Sequence, residues 1–143
     1  MKKNLLYTFL LITLTAISFT ACKKDTAGAE TSLSYNMLAD KTWYLDYAQT
    51  FTGTTVKTKT YVGQSTYFIN FLKNLTTVDS DGITGTYTVE NINNQLQIHV
   101  QATTSNGSKL EYVYDVESMG AKNMVLTYAT GAVTTKLFYS IKK

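Results

Sequence analysis

Few residues in this chain have the chemistry for catalysis or metal binding. There is one Cys, Cys22, and one His, His99. Together they cannot form a Cys/His zinc site, which draws about four ligands from that pool. His99 alternates with Gln95, Gln97 and Gln101, the wet side of an amphipathic segment, and reads as a solvent-facing histidine. The run Asp79-Ser80-Asp81-Gly82 has the first acidic spacing of a calcium loop but lacks the later ligands and the closing Glu. Its Asp and Gly residues suit a hairpin turn better. Hydroxyls abound, with 25 Thr, yet no base stands out to activate one. With no nucleophile–base constellation to assemble, the expectation is a protein that is not an enzyme and takes no cofactor. All 13 cations are Lys and the formal charge is +3. Base and phosphate recognition favour Arg forks, so nucleic acid is not an expected partner.

The residue type in excess is tyrosine, 11 of them beside a single Trp. Read with a two-residue period, Tyr47, Tyr67, Tyr87, Tyr112, Tyr114, Tyr128 and Tyr139 fall on the same side as Trp43, Leu45, Ile69, Phe71, Leu96, Ile98, Leu126 and Leu137. A dry core more often uses Phe, Leu and Val, because each buried phenol needs a hydrogen-bond partner. Two readings stay open. In one, the tyrosines pack a core and their hydroxyls reach water or backbone at its ends. In the other, they line an amphipathic cavity for a small ligand. Its candidate contacts are Trp43, Tyr47, Tyr67, Tyr87, Tyr112, Tyr114 and Tyr128, as stacking surfaces and hydroxyl donors.

The elements that must position these side chains are strands. Residues 42–50, 55–62, 66–72, 75–79, 83–90, 95–103, 109–117, 123–129 and 132–141 are rich in Thr, Tyr, Val, Ile or Phe. Short separators with turn chemistry lie between them, such as Thr52-Gly53, Asn91-Ile92-Asn93-Asn94, Ser105-Asn106-Gly107 and Thr130-Gly131. None is long enough for a crossover helix. Ile83, Gly85, Tyr87 and Val89 oppose Thr84, Thr86, Thr88 and Glu90, one face dry and one wet. The fold class expected is all-β: an eight- or nine-stranded antiparallel up-and-down meander. Closure into a barrel would remove its unpaired edges. Ser32 is placed to N-cap a short helix over 33–39 that packs Leu33, Met37 and Leu38 against the strands.

The first 21 residues read as an export signal, with Lys2 and Lys3, then an uncharged run over 5–19, then Thr20-Ala21. The apolar run would span roughly 22 Å as a helix, short of the roughly 30 Å a bilayer core requires. At its end Phe19-Thr20-Ala21-Cys22 resembles the lipobox of bacterial lipoproteins. That resemblance implies cleavage before Cys22, a diacylglycerol thioether on its sulfur and acylation of the new amino group. More than one chain is what makes such an anchor stable. Without Lys2 and Lys3, the mature side chains carry 11 Lys against 10 acids, a formal +1.

The helix leading into Lys41-Thr42-Trp43-Tyr44-Leu45, the segment Gly82-Ile83-Thr84-Gly85-Thr86-Tyr87-Thr88-Val89 and the closing Leu137-Phe138-Tyr139-Ser140-Ile141-Lys142-Lys143 resemble the lipocalin-like domains of Bacteroidetes lipoproteins. Two positions depart from the pattern of that family. Lys41 stands where a Gly precedes the first-strand Trp, and Lys136 is the cation of the final strand where others place an Arg over that Trp. The organisation implied is a signal peptide over 1–21, a lipidated Cys and flexible tether over 22–32, and a barrel over 33–143. The function implied is an outer-membrane-anchored lipoprotein, facing the periplasm or the cell surface, whose barrel binds a small amphipathic or hydrophobic ligand. The alternative is a filled barrel serving as a structural module, with an envelope protein or glycan as partner.

Overall fold

A computed structural model describes residues 26–104 and 106–141 of the chain. The stretch read as a signal peptide, Cys22 and residues 23–25 lie outside the described residues. The elements in chain order are α1 (Thr26–Leu38), β1 (Lys41–Thr52), β2 (Thr55–Thr60), β3 (Phe68–Phe71), β4 (Thr76–Asp79), β5 (Thr84–Ile92), β6 (Gln95–Thr103), β7 (Lys109–Met119), β8 (Asn123–Thr130) and β9 (Val133–Ser140). Every pairing is antiparallel, as the short connections require. Eight strands close a barrel in the order β1-β3-β4-β5-β6-β7-β8-β9, sealed by β9 against β1. Among the described residues no helix is long and apolar enough to cross a membrane.

The ninth strand is outside the ring. β1 is twelve residues long, and one of its edges serves two partners. Lys41–Tyr44 pair with β3, whereas Tyr47–Thr52 pair with β2. All six residues of β2 are exposed. Its sequence Thr-Val-Lys-Thr-Lys-Thr offers no apolar alternate face, so it has nothing to contribute to a barrel wall. The expected antiparallel meander closed into a barrel is present, with one strand outside it: the chain leaves the barrel through the β1–β2 hairpin and re-enters at β3.

The helix also differs from expectation. It begins at Thr26, so Ser32 lies inside it rather than capping it, and it takes in the second half of the stretch read as a tether. Tyr35 and Leu38, three apart and thus on one face, meet the barrel. Leu33, expected to pack, is 57% exposed. The helix stops where Asp40 takes a left-handed conformation (φ 57°), and its carboxylate then binds Lys73 at 2.9 Å.

One end of the barrel is stoppered by this helix. Leu38, Trp43, Phe71, Tyr87, Ile98, Met124 and Leu126 are essentially without solvent contact and form a dry core beneath it. The Trp43 indole N–H donates to the Leu38 carbonyl at 3.0 Å, tying the last turn of α1 to the first barrel strand. The Tyr87 hydroxyl donates to the Leu72 carbonyl at 2.9 Å, satisfying a phenol that would otherwise be costly to bury. The cation beside Trp43 is Lys41, its Nζ 5.7 Å from the ring centroid, and not Lys136. Lys136 lies on the outer wall, 2.6 Å from Glu117.

Thr77, only 3% exposed, has a hydroxyl with no hydrogen-bond partner. An unsatisfied buried hydroxyl costs free energy that an isosteric methyl does not. Thr77→Val is therefore expected to raise the stability by about 1 kcal/mol in urea denaturation. A loss of stability would show that the hydroxyl has a partner in solution.

Candidate functional site

Two-residue alternation sends Tyr112 and Tyr114 of β7 inward, opposite Val100 and Ile98 of β6. The same rule sends Tyr128 of β8 inward beside Leu126, and Tyr139 of β9 beside Leu137. The side chains of Tyr112, Tyr114 and Tyr128 come together in the half of the barrel away from α1, whereas Tyr139 pairs with Met124 of the dry core. The rings of Tyr112 and Tyr114 stack at 5.9 Å, and Tyr128 stands edge-on to both, at 6.4 Å and 5.6 Å. Asp79 is nearby on β4. Its Oδ1 accepts the Asp81 and Ile83 amides, both at 2.9 Å, which makes the run 79–82 a hairpin turn. Tyr61 and Tyr67 meet edge-to-face at 4.6 Å on the rim.

Burial dominates the titration of this group. It pushes the Tyr114 hydroxyl well above the ordinary phenol range, helped by Tyr139, Tyr112, Tyr128 and the Asp79 carboxylate. Burial raises Tyr139 likewise, with Tyr128, Asp79 and Tyr61 adding to it. In the closed half, burial first and Tyr35 second push Tyr87 up to about 12. A phenol whose folded value lies above its unfolded one contributes fully below about pH 10, and that contribution is lost as pH rises through the folded value. The barrel is thus expected to lose stability steeply once the pH passes about 10, with the share from Tyr87 gone by about pH 12. Tyrosinate absorbance and circular dichroism should change together across that window. A full tyrosinate signal with the barrel still folded would contradict it.

Among the described residues, the hydroxyls of Tyr112, Tyr114, Tyr128 and Tyr139 make no hydrogen bond to a protein group. Stacked rings with unclaimed hydroxyls give a surface that can pack against an apolar body and bind polar substituents at its edge.

The seven sequence candidates divide accordingly. Tyr112, Tyr114 and Tyr128 are brought together at the open end. Tyr67 sits on the rim, 39% exposed. Trp43 and Tyr87 are buried in the dry half with their polar atoms already satisfied. Tyr47 is on the outer wall, stacked on Phe138 at 4.1 Å, which corrects its inward assignment. The cause is a bulge: the pairing of β1 with β9 shifts between Leu45 and Tyr47, so Asp46 is an extra residue. One extra residue turns every following side chain to the opposite face. Tyr139 was legible as inward from its parity with Leu137 but not as a contact, and Asp79 was legible only as a turn residue. His99 is on the outer wall as expected, half-buried and 3.1 Å from Gln97 Oε1. Among the described residues, no three His, Cys, Asp or Glu side chains gather to hold a metal ion.

Among the described residues, two hollows of note open to solvent without including a mouth tyrosine. One, of about 730 Å³, lies between α1 and the end of β5, with Tyr35, Leu75, Val89 and Ile92 as its apolar part. The other, of about 890 Å³, crosses β4–β7 on the outer wall. It runs between two cross-strand rows, Val78–Thr84–Thr103–Lys109 and Thr76–Thr86–Gln101–Glu111. Its floor is the row Thr77–Gly85–Ala102–Leu110.

The fold and its tyrosine cluster define a small closed antiparallel β-barrel protein with one end stoppered and one aromatic. No family model, curated protein or solved structure matches the chain.

Proposed function

We propose that this chain is a lipoprotein of the bacterial outer membrane, anchored through lipid on Cys22. Its lipocalin-like barrel holds a small amphipathic ligand at the tyrosine-lined end and catalyses no reaction. The observation that carries the ligand reading is the set of three tyrosines, Tyr112, Tyr114 and Tyr128, whose rings pack together while their hydroxyls have no partner among the described residues. The closed half is filled by Trp43, Phe71, Tyr87 and Ile98, which leaves a shallow seat rather than a deep cup. In favour of the anchor, α1 begins four residues after Cys22 and stoppers the closed end, so a lipid there would direct the tyrosines away from the membrane.

Native mass spectrometry before and after organic extraction tests the ligand. A co-purifying mass that is lost on extraction and weakened in Tyr112→Ala supports the seat. A chain that carries no adduct, and that no lipid or aromatic compound stabilises, overturns it. For the anchor, Cys22→Ala should release the chain from membranes, and retention after washing without detergent would overturn that reading. The second reading, a wall that recognises partners on its outside, is favoured by the groove over β4–β7.

A further inference from the structure

We infer that the groove crossing β4–β7 on the outer wall is a binding site for a linear, uncharged oligosaccharide. The inference does not depend on the lipid anchor or on the tyrosine-lined end.

The chemistry of the walls points to a hydroxylated chain. Thr84, Thr86, Gln101 and Thr103 are exposed along the groove, and their side chains make no hydrogen bond to a described protein group. A threonine hydroxyl both donates and accepts, and an amide does the same through two atoms, which is the pattern a sugar hydroxyl requires. Threonine is also stiff at χ1, so these hydroxyls are held in place before a ligand arrives and little rotamer freedom is lost on binding. The two charged side chains, Lys109 and Glu111, are opposite in sign and share β7, so the groove has no net preference for an anion or a cation.

Shape favours a short chain over a single sugar. The groove crosses four adjacent strands, about 14 Å from first to last at about 4.8 Å per strand. Its 890 Å³ is near the upper end of small-ligand sites. Beneath the groove, Gly85 lets β5 come close to β6: a Cβ there would meet the Gln101 carbonyl oxygen at 2.3 Å. An extended peptide fits less well. Peptides add to free strand edges, and each of β4–β7 is paired on both sides. No aromatic ring lines the groove, so binding rests on hydrogen bonds and is expected to be weak and dependent on chain length.

The test is an amide-resolved NMR titration of the full chain in zwitterionic micelles with xylo-, cello-, manno- and maltotetraose in turn. Saturable shifts confined to residues 84–86, 101–103 and 109–111 are expected for at least one of them. The tetraose should bind about fivefold or more tightly than its disaccharide, and Thr86→Val with Gln101→Ala should weaken it by about fivefold or more. Both substitutions are on exposed side chains, and an unchanged thermal midpoint would confirm that the fold is intact. The inference is overturned by an absence of saturable shifts with all four sugars. It is equally overturned by shifts at Tyr112 and Tyr114 alone, an outcome that would leave the tyrosine-lined seat standing. Tighter binding of a neutral tetrapeptide than of any sugar would also overturn it.

Discussion

Trp43→Ala is expected to destabilise the barrel by about 4 kcal/mol, the largest effect of any single truncation considered. Trp43 has no solvent contact, and the hole its removal leaves is walled by elements from distant parts of the chain. Leu38 belongs to α1, Phe71 to β3, Ile98 to β6 and Leu126 to β8, so no single movement can collapse the space. The truncation also strands the Leu38 carbonyl, which now accepts the indole N–H at 3.0 Å. Against a total of about 5–15 kcal/mol for a domain, the variant would be close to unfolded. Urea denaturation followed by far-UV circular dichroism measures this, because the only tryptophan probe is lost. Trp43→Phe keeps an aromatic body and should lose clearly less. A loss below about 1 kcal/mol for the alanine variant would mean that the helix does not stopper this end.

The second large effect is at Gly85, and its sign runs against propensity. Glycine in a strand is ordinarily a weakness, so Ala should stabilise most such positions. At Gly85 an added Cβ would lie 2.3 Å from the Gln101 carbonyl oxygen and 2.7 Å from the Ala102 Cα, both main-chain atoms. Neither can rotate aside, so β5 and β6 must separate. Gly85→Ala is expected to cost about 3 kcal/mol, at the upper end of overpacking losses. Gly120 provides the control: its nearest neighbour would be 3.8 Å away, and Ala there should be within about 0.5 kcal/mol of neutral. Equal effects at the two positions in thermal or urea unfolding would contradict the close approach of β5 to β6. Because Gly85 is in the floor of the outer groove, its variant speaks to the fold; Thr86 and Gln101 are the positions that speak to the groove.

The tyrosine-lined end and the dry end are built from the same residue types, so type could not separate them. Tyr87 and Tyr114 both alternate inward among Ile, Val and Leu. Tyr87 ends up beneath α1, with its hydroxyl on the Leu72 carbonyl, whereas Tyr114 stacks on Tyr112 with its hydroxyl unclaimed. Which of the two fates a tyrosine meets depends on its height in the barrel relative to the helix. That height is fixed by pairing registers and not by neighbours in sequence.

What the sequence determined by itself is local and periodic. Residues such as Leu96, Ile98, Val100 and Ala102 alternate with polar partners, and a strand has only two faces, so their inward position follows from the chain alone. The turn residues between strands were legible for the same reason: the conformation that Asp79–Gly82 requires is set within those four residues. The tertiary structure alone decided that β2 stays outside the ring, that Asp46 bulges and carries Tyr47 to the outer wall, and that Lys41 rather than Lys136 lies over Trp43. Each of these is a choice between distant partners. Strand pairing couples residues far apart in the chain, and a bulge adds one residue without altering composition or turn chemistry, so only the closed barrel selects among them.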